Sequence, residues 1–332
     1  MNSEQLGIRP LHIVLISGGK DSAVCGALAT RRLPRDRLRL VFADTGNEHP
    51  ETYRYLDCLS SHLGHKIERL QADFSEEFAQ ARQAIARDLR TGRDYRGAKK
   101  RRTNRRKREA LEVLRPTGNP FLDLCLLSGM FPTNQRRFCT RRLKTEVVAN
   151  WLLAAHENRP LIVWQGVKRA DSDKRADLLP YARQAPGWWI FRPLLEWTDA
   201  DVFKYLDESG TPANPLYGSG FSRVSCAPCI YARKSEIRLL ADRYPEQVER
   251  IRAWEGLVSR ASKSGFAPFF STKEIPATPA QRRHRFAIDG AVRWATVNFR
   301  KNKFARYEDV FGEDGRQGNL FRVCEAGQGL CE

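Results

Sequence analysis

The apolar run His12-Ile13-Val14-Leu15-Ile16 empties into Ser17-Gly18-Gly19-Lys20-Asp21-Ser22, and a good helix-forming stretch, Ala23 to Arg31, follows at once. Strand, tight loop and helix in that order predict a phosphate cradle at the carboxyl end of a buried strand. Two adjacent glycines let the backbone bend with positive φ and come close to an oxyanion. The N–H groups of the loop, and those opening the helix, can then point at phosphate. Lys20 adds a cation, Ser17 and Ser22 add hydroxyl donors, and Asp21 is placed to cap the helix or help hold magnesium. The loop has neither the four-residue gap before Gly-Lys-Ser/Thr of a Walker loop nor a Gly-x-Gly-x-x-Gly.

The hexapeptide resembles the PP-loop, Ser-Gly-Gly-x-Asp-Ser/Thr, of ATP pyrophosphatases, which cleave ATP between its α and β phosphates. A second strand candidate, Leu38 to Ala43, delivers Asp44-Thr45-Gly46 and then Pro50-Glu51-Thr52-Tyr53. In a doubly wound sheet that segment lies beside the first loop, because ligands sit beyond the carboxyl ends of the strands. Asp-Thr-Gly followed by Pro-Glu-Thr-Tyr resembles the phosphoadenosine phosphosulfate (PAPS) reductase branch of the PP-loop superfamily. ATP sulfurylase small subunits and DNA-phosphorothioation sulfurtransferases are close to that branch. Later landmarks extend the resemblance over most of the first 235 residues. They are a third strand candidate Leu161 to Gly166, then Gly166-Val167-Lys168-Arg169-Ala170-Asp171-Ser172 with Arg175, Arg192 to Thr198, and Asn214-Pro215-Leu216-Tyr217.

The resemblance implies a doubly wound, mostly parallel α/β sheet that binds ATP and Mg2+. It implies nucleotide contacts from Ser17, Gly18, Gly19, Lys20, Asp21, Ser22, Asp44, Thr45, Gly46, Lys168, Arg169, Ser172 and Arg175, with catalytic roles for Lys20, Asp21, Arg169 and Asp171. The chain departs from the family pattern where Asp171 replaces Glu and where the basic residues near 168 are shifted or doubled. Lys168 and Arg169 are therefore alternative phosphate ligands.

Cys226-Ala227-Pro228-Cys229 is a tight turn able to direct two thiolates at one metal or cluster. Cys139 lies in the basic stretch Arg136 to Lys144, and Cys125 in an apolar run. In the relatives that this chain resembles, the Phe-Cys-Thr and Arg-Val-x-Cys-x-x-Cys-Ile segments recur together. The resemblance thus implies that Cys125, Cys139, Cys226 and Cys229 hold a [4Fe–4S] cluster, with zinc as the alternative metal. Neighbouring Arg137, Arg141, Arg142 and Lys144 are expected to favour thiolate over thiol. Two further readings stay open: a three-cysteine cluster with one open iron, and a dithiol pair at Cys226 and Cys229 with the other two as packing residues. Cys25 reads as core, while Cys324 and Cys331 sit in a glycine-containing tail.

Residues 1–230 read as the catalytic domain with an insertion at 75–120, and residues 231–332 as a mostly helical extension. Ile237, Leu239, Leu240, Tyr244, Val248, Ile251 and Trp254 make its apolar stripe, Pro268 to Pro279 breaks it, and Phe286 to Phe299 reads as another helix. Between Arg93 and Arg108 ten basic residues face one acidic residue, a net +9 that is half of the chain's +18. Such density calls for a polyanion, and its poverty in aromatics points to backbone contact with a nucleic acid, DNA or tRNA. A solvated insertion, or one that gathers small anions at long range, is the other reading. Eight cysteines in 332 residues do not make a disulfide scaffold, and the residues before Ser17 show no signal-peptide pattern. A reducing cytoplasm is the expected compartment, and no apolar run has the length to span a bilayer.

The function expected is adenylation of a substrate with release of pyrophosphate, then displacement by sulfur from a sulfur-donor protein, with a nucleic acid as acceptor. Reduction of PAPS is the first alternative. True reductases, however, have a degenerate loop and end in a Glu-Cys-Gly-x-His-like tail, of which Val323-Cys324-Glu325-Ala326-Gly327 is a faint echo. Sulfate adenylylation is another alternative, and a nucleic-acid-binding module with a regulatory nucleotide site is the reading from a different class.

Overall fold

The computed structural model describes residues 9–91, 103–156, 159–185, 188–270 and 287–297. Six strands form one sheet: β1 (Leu11–Ile16), β2 (Leu38–Ala43), β3 (Ile67–Leu70), β4 (Leu161–Trp164), β5 (Tyr181–Ala185) and β6 (Trp188–Phe191). They lie in the order β3-β2-β1-β4-β6-β5, all parallel except β5, which runs against β6. The expected doubly wound, mostly parallel α/β architecture is the one found. Strand β1 is central, so both of its faces are covered, which is why it reads as a continuous apolar run and not as an alternation. The chain steps from β1 to β2 on one side and later to β4 on the other. The crevice of a doubly wound sheet therefore opens at the carboxyl ends of β1 and β4.

Alternate residues of the strands feed different cores. Val14 and Ile16, with Leu40, Phe42 and Trp164, pack under α1 (Lys20–Arg32), α2 (Pro50–His62) and, after β6, the helix Asp199–Ser209. Leu11, Ile13, Val41 and Val163 face the other way, onto Leu152 of the helix Glu146–His156. Both layers bury aliphatic side chains almost completely, which is the principal driving force for closing the sheet.

A third core holds the remaining helices. The 75–120 stretch and its continuation form α3 (Ser75–Arg90), α4 (Asn104–Val113) and α5 (Pro120–Ser128). A three-residue helix, α6 (Phe138–Thr140), then runs through a π turn (Arg141–Thr145) into α7 (Glu146–His156), and Asp199–Ser209 is α8. The apolar stripe after residue 231 is split between α9 (Lys234–Arg243) and α10 (Pro245–Ala261), because Pro245 cannot continue the first helix and starts the second. Ile237, Leu240, Val248, Ile251 and Trp254 of that stripe share one buried cluster with Phe78, Ala110, Val113, Phe121 and Cys125. Phe121 is central to it, with ring centroids 5.7 Å from Trp254 and 6.1 Å from Phe269. The last described helix, α11 (Ile288–Val297), covers the core of the expected Phe286–Phe299 element. Residues 271–279 of the expected break, residues 93–102 of the basic segment and Cys324 and Cys331 lie outside the described residues. Among the described residues no helix is long and apolar enough to cross a membrane.

Glu255 fastens the end of this helical layer. Its buried carboxylate accepts the backbone N–H groups of Phe269 at 2.7 Å and Ile288 at 3.0 Å. Burial nevertheless pushes its pKa up to about 7, from 4.5 for an ordinary Glu, and these hydrogen bonds only partly oppose the shift. Between those two values the folded protein binds more protons than the unfolded chain, so this group makes stability fall as pH rises through the window. Glu255→Gln keeps an acceptor and removes the charge. Denaturant titrations are expected to show a gain of about 3 kcal/mol at pH 8 and almost none below pH 4.5.

Candidate functional site

Ser17 follows β1, and Gly18 turns the chain with φ +76°. A Cβ on Gly18 would lie 2.6 Å from the Thr52 methyl of α2, so the position needs glycine for both backbone and space. Gly19 caps α1 without a side-chain hydrogen bond, which leaves the helix N-terminus open to an anion. The loop is wired from within: Ser22 Oγ accepts the Ser17 N–H at 3.0 Å and donates to the Gly19 carbonyl at 2.8 Å. It is also braced from a distance. Asn214 Nδ2 donates to the Gly18 carbonyl at 3.0 Å, and the Lys20 N–H donates to the Tyr217 hydroxyl at 3.1 Å. The Asn-Pro-Leu-Tyr landmark thus holds the cradle in shape.

Two lysines converge on the loop. Lys20 Nζ lies 3.2 Å from Asp199 Oδ1 and 3.6 Å from Asp21. Lys168, 1% exposed, is paired with Asp21, with Asp199 at 3.0 Å and with Asp171 at 3.3 Å. Burial alone would lower the Lys168 pKa, but its hydrogen bonds to Asp21 and Asp199 raise it above the ordinary lysine range. Asp199, whose own burial works the other way, is held below the usual carboxylate range by Lys168 and Lys20. The close approach of Gly166 to α1 allows this meeting, since a Cβ there would sit 2.8 Å from the carbonyl carbon of Asp21. Of the two basic candidates, Lys168 faces the cradle. Arg169 instead binds Glu196 at 2.7 Å and the Leu178 carbonyl at 2.6 Å. Arg175 pairs with Asp171, and Ser172 is exposed.

Asp44, Thr45 and Gly46 do lie beyond the end of β2, but they are turned into their own network. Asp44 accepts from the Tyr53 hydroxyl at 2.6 Å, the Gly46 N–H at 3.0 Å and Gln71 at 2.8 Å. Thr45 donates to buried Glu48 at 2.8 Å, and burial raises the Glu48 pKa against the opposing charge of Lys144. Beside Ser17 opens a cavity of about 370 Å3 under α7, with walls that include Leu15, Phe42 and Val163 and polar groups from Gln165, Gln184 and Lys144. Its size and largely apolar lining suit a heterocycle.

The cysteine turn docks against the same loop: the Ala227 N–H donates to the Asn47 carbonyl at 2.9 Å and Asn47 Nδ2 to the Pro228 carbonyl at 3.0 Å. Cys226 and Cys229 lie close enough to Cys139 for their charges to act on one another, and Cys125 senses Cys139. Among the described residues, however, no three His, Cys, Asp or Glu side chains come together as metal ligands. Cys125 is sealed in the helical core. Lys144 works to lower the thiol pKa values of Cys226 and Cys139, as expected of a basic neighbour, but it is outweighed. Burial dominates, pushing Cys226 up to about 12 and raising Cys139 and Cys125. Arg141 and Arg142 turn instead to Glu146, at 3.1 and 3.0 Å. The thiols, foremost Cys226, raise the pKa of Lys144.

Asp199 escapes a reading of the sequence. Its only local sign is the capping box that Thr198 and Asp201 form at the start of α8. For Gly18→Ala, a left-handed backbone costs about 1–2 kcal/mol, and the Thr52 contact adds to it. Adding Thr52→Ser, which keeps the hydroxyl bond to the Val224 carbonyl, is expected to recover only the steric part in urea melts.

Residues 12–232 match the phosphoadenosine phosphosulfate reductase domain. An uncharacterized 37.8 kDa protein of Escherichia phage 186 is 41% identical over 279 residues, 82% of each chain. An uncharacterized protein of Methanocaldococcus jannaschii is 24% identical over 74% of this chain and 41% of its own length. The adenosine 5'-phosphosulfate reductase of Burkholderia cepacia is 38% identical over 68 residues, 20% of this chain and 27% of that enzyme. A phosphoadenylyl-sulfate reductase from Candida auris superposes with a TM-score of 0.42 at 15% identity, covering 67% of this chain and 83% of that one. With two thirds of its length matched by that domain, this chain belongs to the phosphoadenosine phosphosulfate reductase domain family.

Proposed function

We propose that this protein is an ATP pyrophosphatase that adenylates a nucleic acid and so prepares it for sulfur transfer. The observation that carries this reading is the convergence of Lys20 and Lys168 on an uncapped helix N-terminus beside an apolar cavity of nucleoside size. A triphosphate fits that pairing of charge and space. The β and γ phosphates would take the N–H groups of the Ser17–Ser22 loop other than those of Ser17 and Lys20, which Ser22 and Tyr217 already accept, and both ammonium groups. Asp21 and Asp199, which hold those lysines here, would be free to meet Mg2+. The nucleoside would enter the cavity past Ser17.

An acceptor oxygen then attacks the α phosphorus, the bond to the bridging oxygen of the β phosphate breaks, and pyrophosphate leaves with that electron pair. The AMP ester left on the acceptor is a leaving group for a sulfur nucleophile, brought by a sulfur-donor protein. Positioning and charge stabilisation dominate such a step. A [4Fe–4S] cluster or zinc, when bound, would be held by Cys139, Cys226 and Cys229 drawn closer together than they stand here, and it would supply a site for sulfide. The basic segment 93–108 would contact phosphates of DNA or tRNA. Of its described part, Arg105 and Arg106 are shared with Glu109.

Reduction of an adenylyl sulfate is the reading favoured by the names of the reductase relatives. The intact Gly18-Gly19-Lys20-Asp21 loop favours ATP. Pyrophosphate release measured with DNA, tRNA or sulfate separates the readings. Release stimulated by a nucleic acid is expected, and Lys20→Ala and Lys168→Met are each expected to slow it about 100-fold. Release with sulfate alone would mean sulfate adenylylation, and nucleotide binding without release would mean a regulatory site. Iron and zinc content with an anaerobic absorption spectrum tests the thiol set. Iron near four per chain, lost in Cys226→Ser, is expected of the cluster, whereas one zinc in a colourless protein would rule it out.

A further inference from the structure

The outer edge of the sheet carries side chains that the nucleotide site does not use. Strands β5 and β6 pair so that Tyr181 stands opposite Phe191 and Arg183 opposite Trp189. Because strand side chains alternate, these four share one face, while Trp188, Ile190 and Gln184 point to the other and line the cavity. The first face is open: Tyr181 is 55% and Trp189 41% exposed. Three of the five large hydrophobic residues exposed among the described residues, Leu179, Tyr181 and Trp189, belong to this one hairpin and its approach.

The rings of this face are also packed on one another. Tyr181 lies flat on Phe191, with centroids 4.5 Å apart and planes at 17°, and Phe191 meets Trp164 edge-on at 4.7 Å. Arg192 holds the approach through the carbonyls of Leu179 at 2.9 Å and Pro180 at 2.8 Å. Arg183 is exposed and has no carboxylate partner among the described residues. The register of β5 breaks between Arg183 and Ala185. A bulge and a charge on an edge strand discourage pairing with another chain, so the side-chain face, not the backbone edge, is the available surface.

We propose that this face is a stacking platform for single-stranded nucleic acid. Flat aromatic rings beside an exposed guanidinium accept bases of any sequence and the phosphate that follows them, and a chain of net charge +18 draws a polyanion. A duplex hides its bases and gains nothing from the rings. The platform begins next to the catalytic crevice, since the Gln165 N–H, from the cavity wall, donates to the Phe191 carbonyl at 2.9 Å. This inference rests on the nucleic-acid acceptor proposed above and adds the strand state of that acceptor and the surface that receives it.

Fluorescence anisotropy of labelled 12-nucleotide DNA and RNA strands, each also as a duplex, titrated with the full chain over a range of salt, tests it. Single strands are expected to bind more tightly than duplexes. Tyr181→Ala and Trp189→Ala are each expected to weaken single-strand binding about tenfold with an unchanged salt slope, and Tyr181→Phe and Trp189→Phe to retain it. Arg183→Gln is expected to lower the slope by about one. If the alanine variants bind normally while Lys99, Lys100, Arg101 and Arg102 changed together to Ser weaken binding, the platform is overturned and the nucleic-acid acceptor stands. Binding of duplex as tight as single strand, or alanine variants that change only the oligomeric state, also overturns the platform. No binding to any nucleic acid overturns both.

Discussion

A lysine ammonium removed from water is tolerated only where carboxylates replace its hydration, and the candidate site is organised around one such group. Lys168 reaches Asp21 in the first turn of α1, Asp199 in the first turn of α8 and Asp171 on its own segment. Three stretches of chain that share no local sequence relation are thereby held at the carboxyl ends of β1 and β4. Asp199 also binds Lys20, so the two cations of the cradle are positioned by one carboxylate. The same arrangement keeps Lys168 charged and holds both lysines in place, which is the preorganisation that charge-stabilising sites depend on.

The sheet supplies the frame for this cluster, and the third core supplies its back wall. Thr52 of α2 is the point where the two meet. Its methyl packs against Gly18, while its hydroxyl donates to Val224 in the segment leading to the cysteine turn. Asn47 then ties that turn to the loop after β2. The helices of the 75–120 stretch and those after residue 231 bury one another's apolar faces. Amphipathic helices need a partner for the buried stripe, and neither group would have one alone.

Much of the nucleotide-binding half was legible from consecutive residues. The apolar runs at β1 and β2, the helix-forming stretch after Gly19 and the Asn214–Tyr217 landmark are local signals, and the elements lie where those signals put them, to within a few residues. Arg169 against Lys168 was not legible. Adjacent basic residues look alike in sequence, and which one turns inward depends on the backbone between β4 and the Leu195 carbonyl that receives the Arg169 N–H. The cysteines divide in the same way: the Cys-x-x-Cys spacing was visible, while the burial that outweighs basic neighbours was not. The basic run was read by charge alone, and most of it lies outside the described residues.

The sequence by itself determined that a tight glycine loop joins a buried strand to a helix, because adjacent glycines, a lysine and a helix start act over six residues of chain. It also determined the mostly parallel α/β class, through short apolar runs spaced by helix-length segments. Tertiary structure alone decided that Asp199 joins the site, that Asn214 and Tyr217 brace the loop, that Cys125 is sealed in a helical core, and that Tyr181 and Trp189 stand open beside Arg183. Each of these depends on which faces of distant elements meet. That choice follows from the register of the whole sheet and the covering of its two faces, which no single stretch of residues carries.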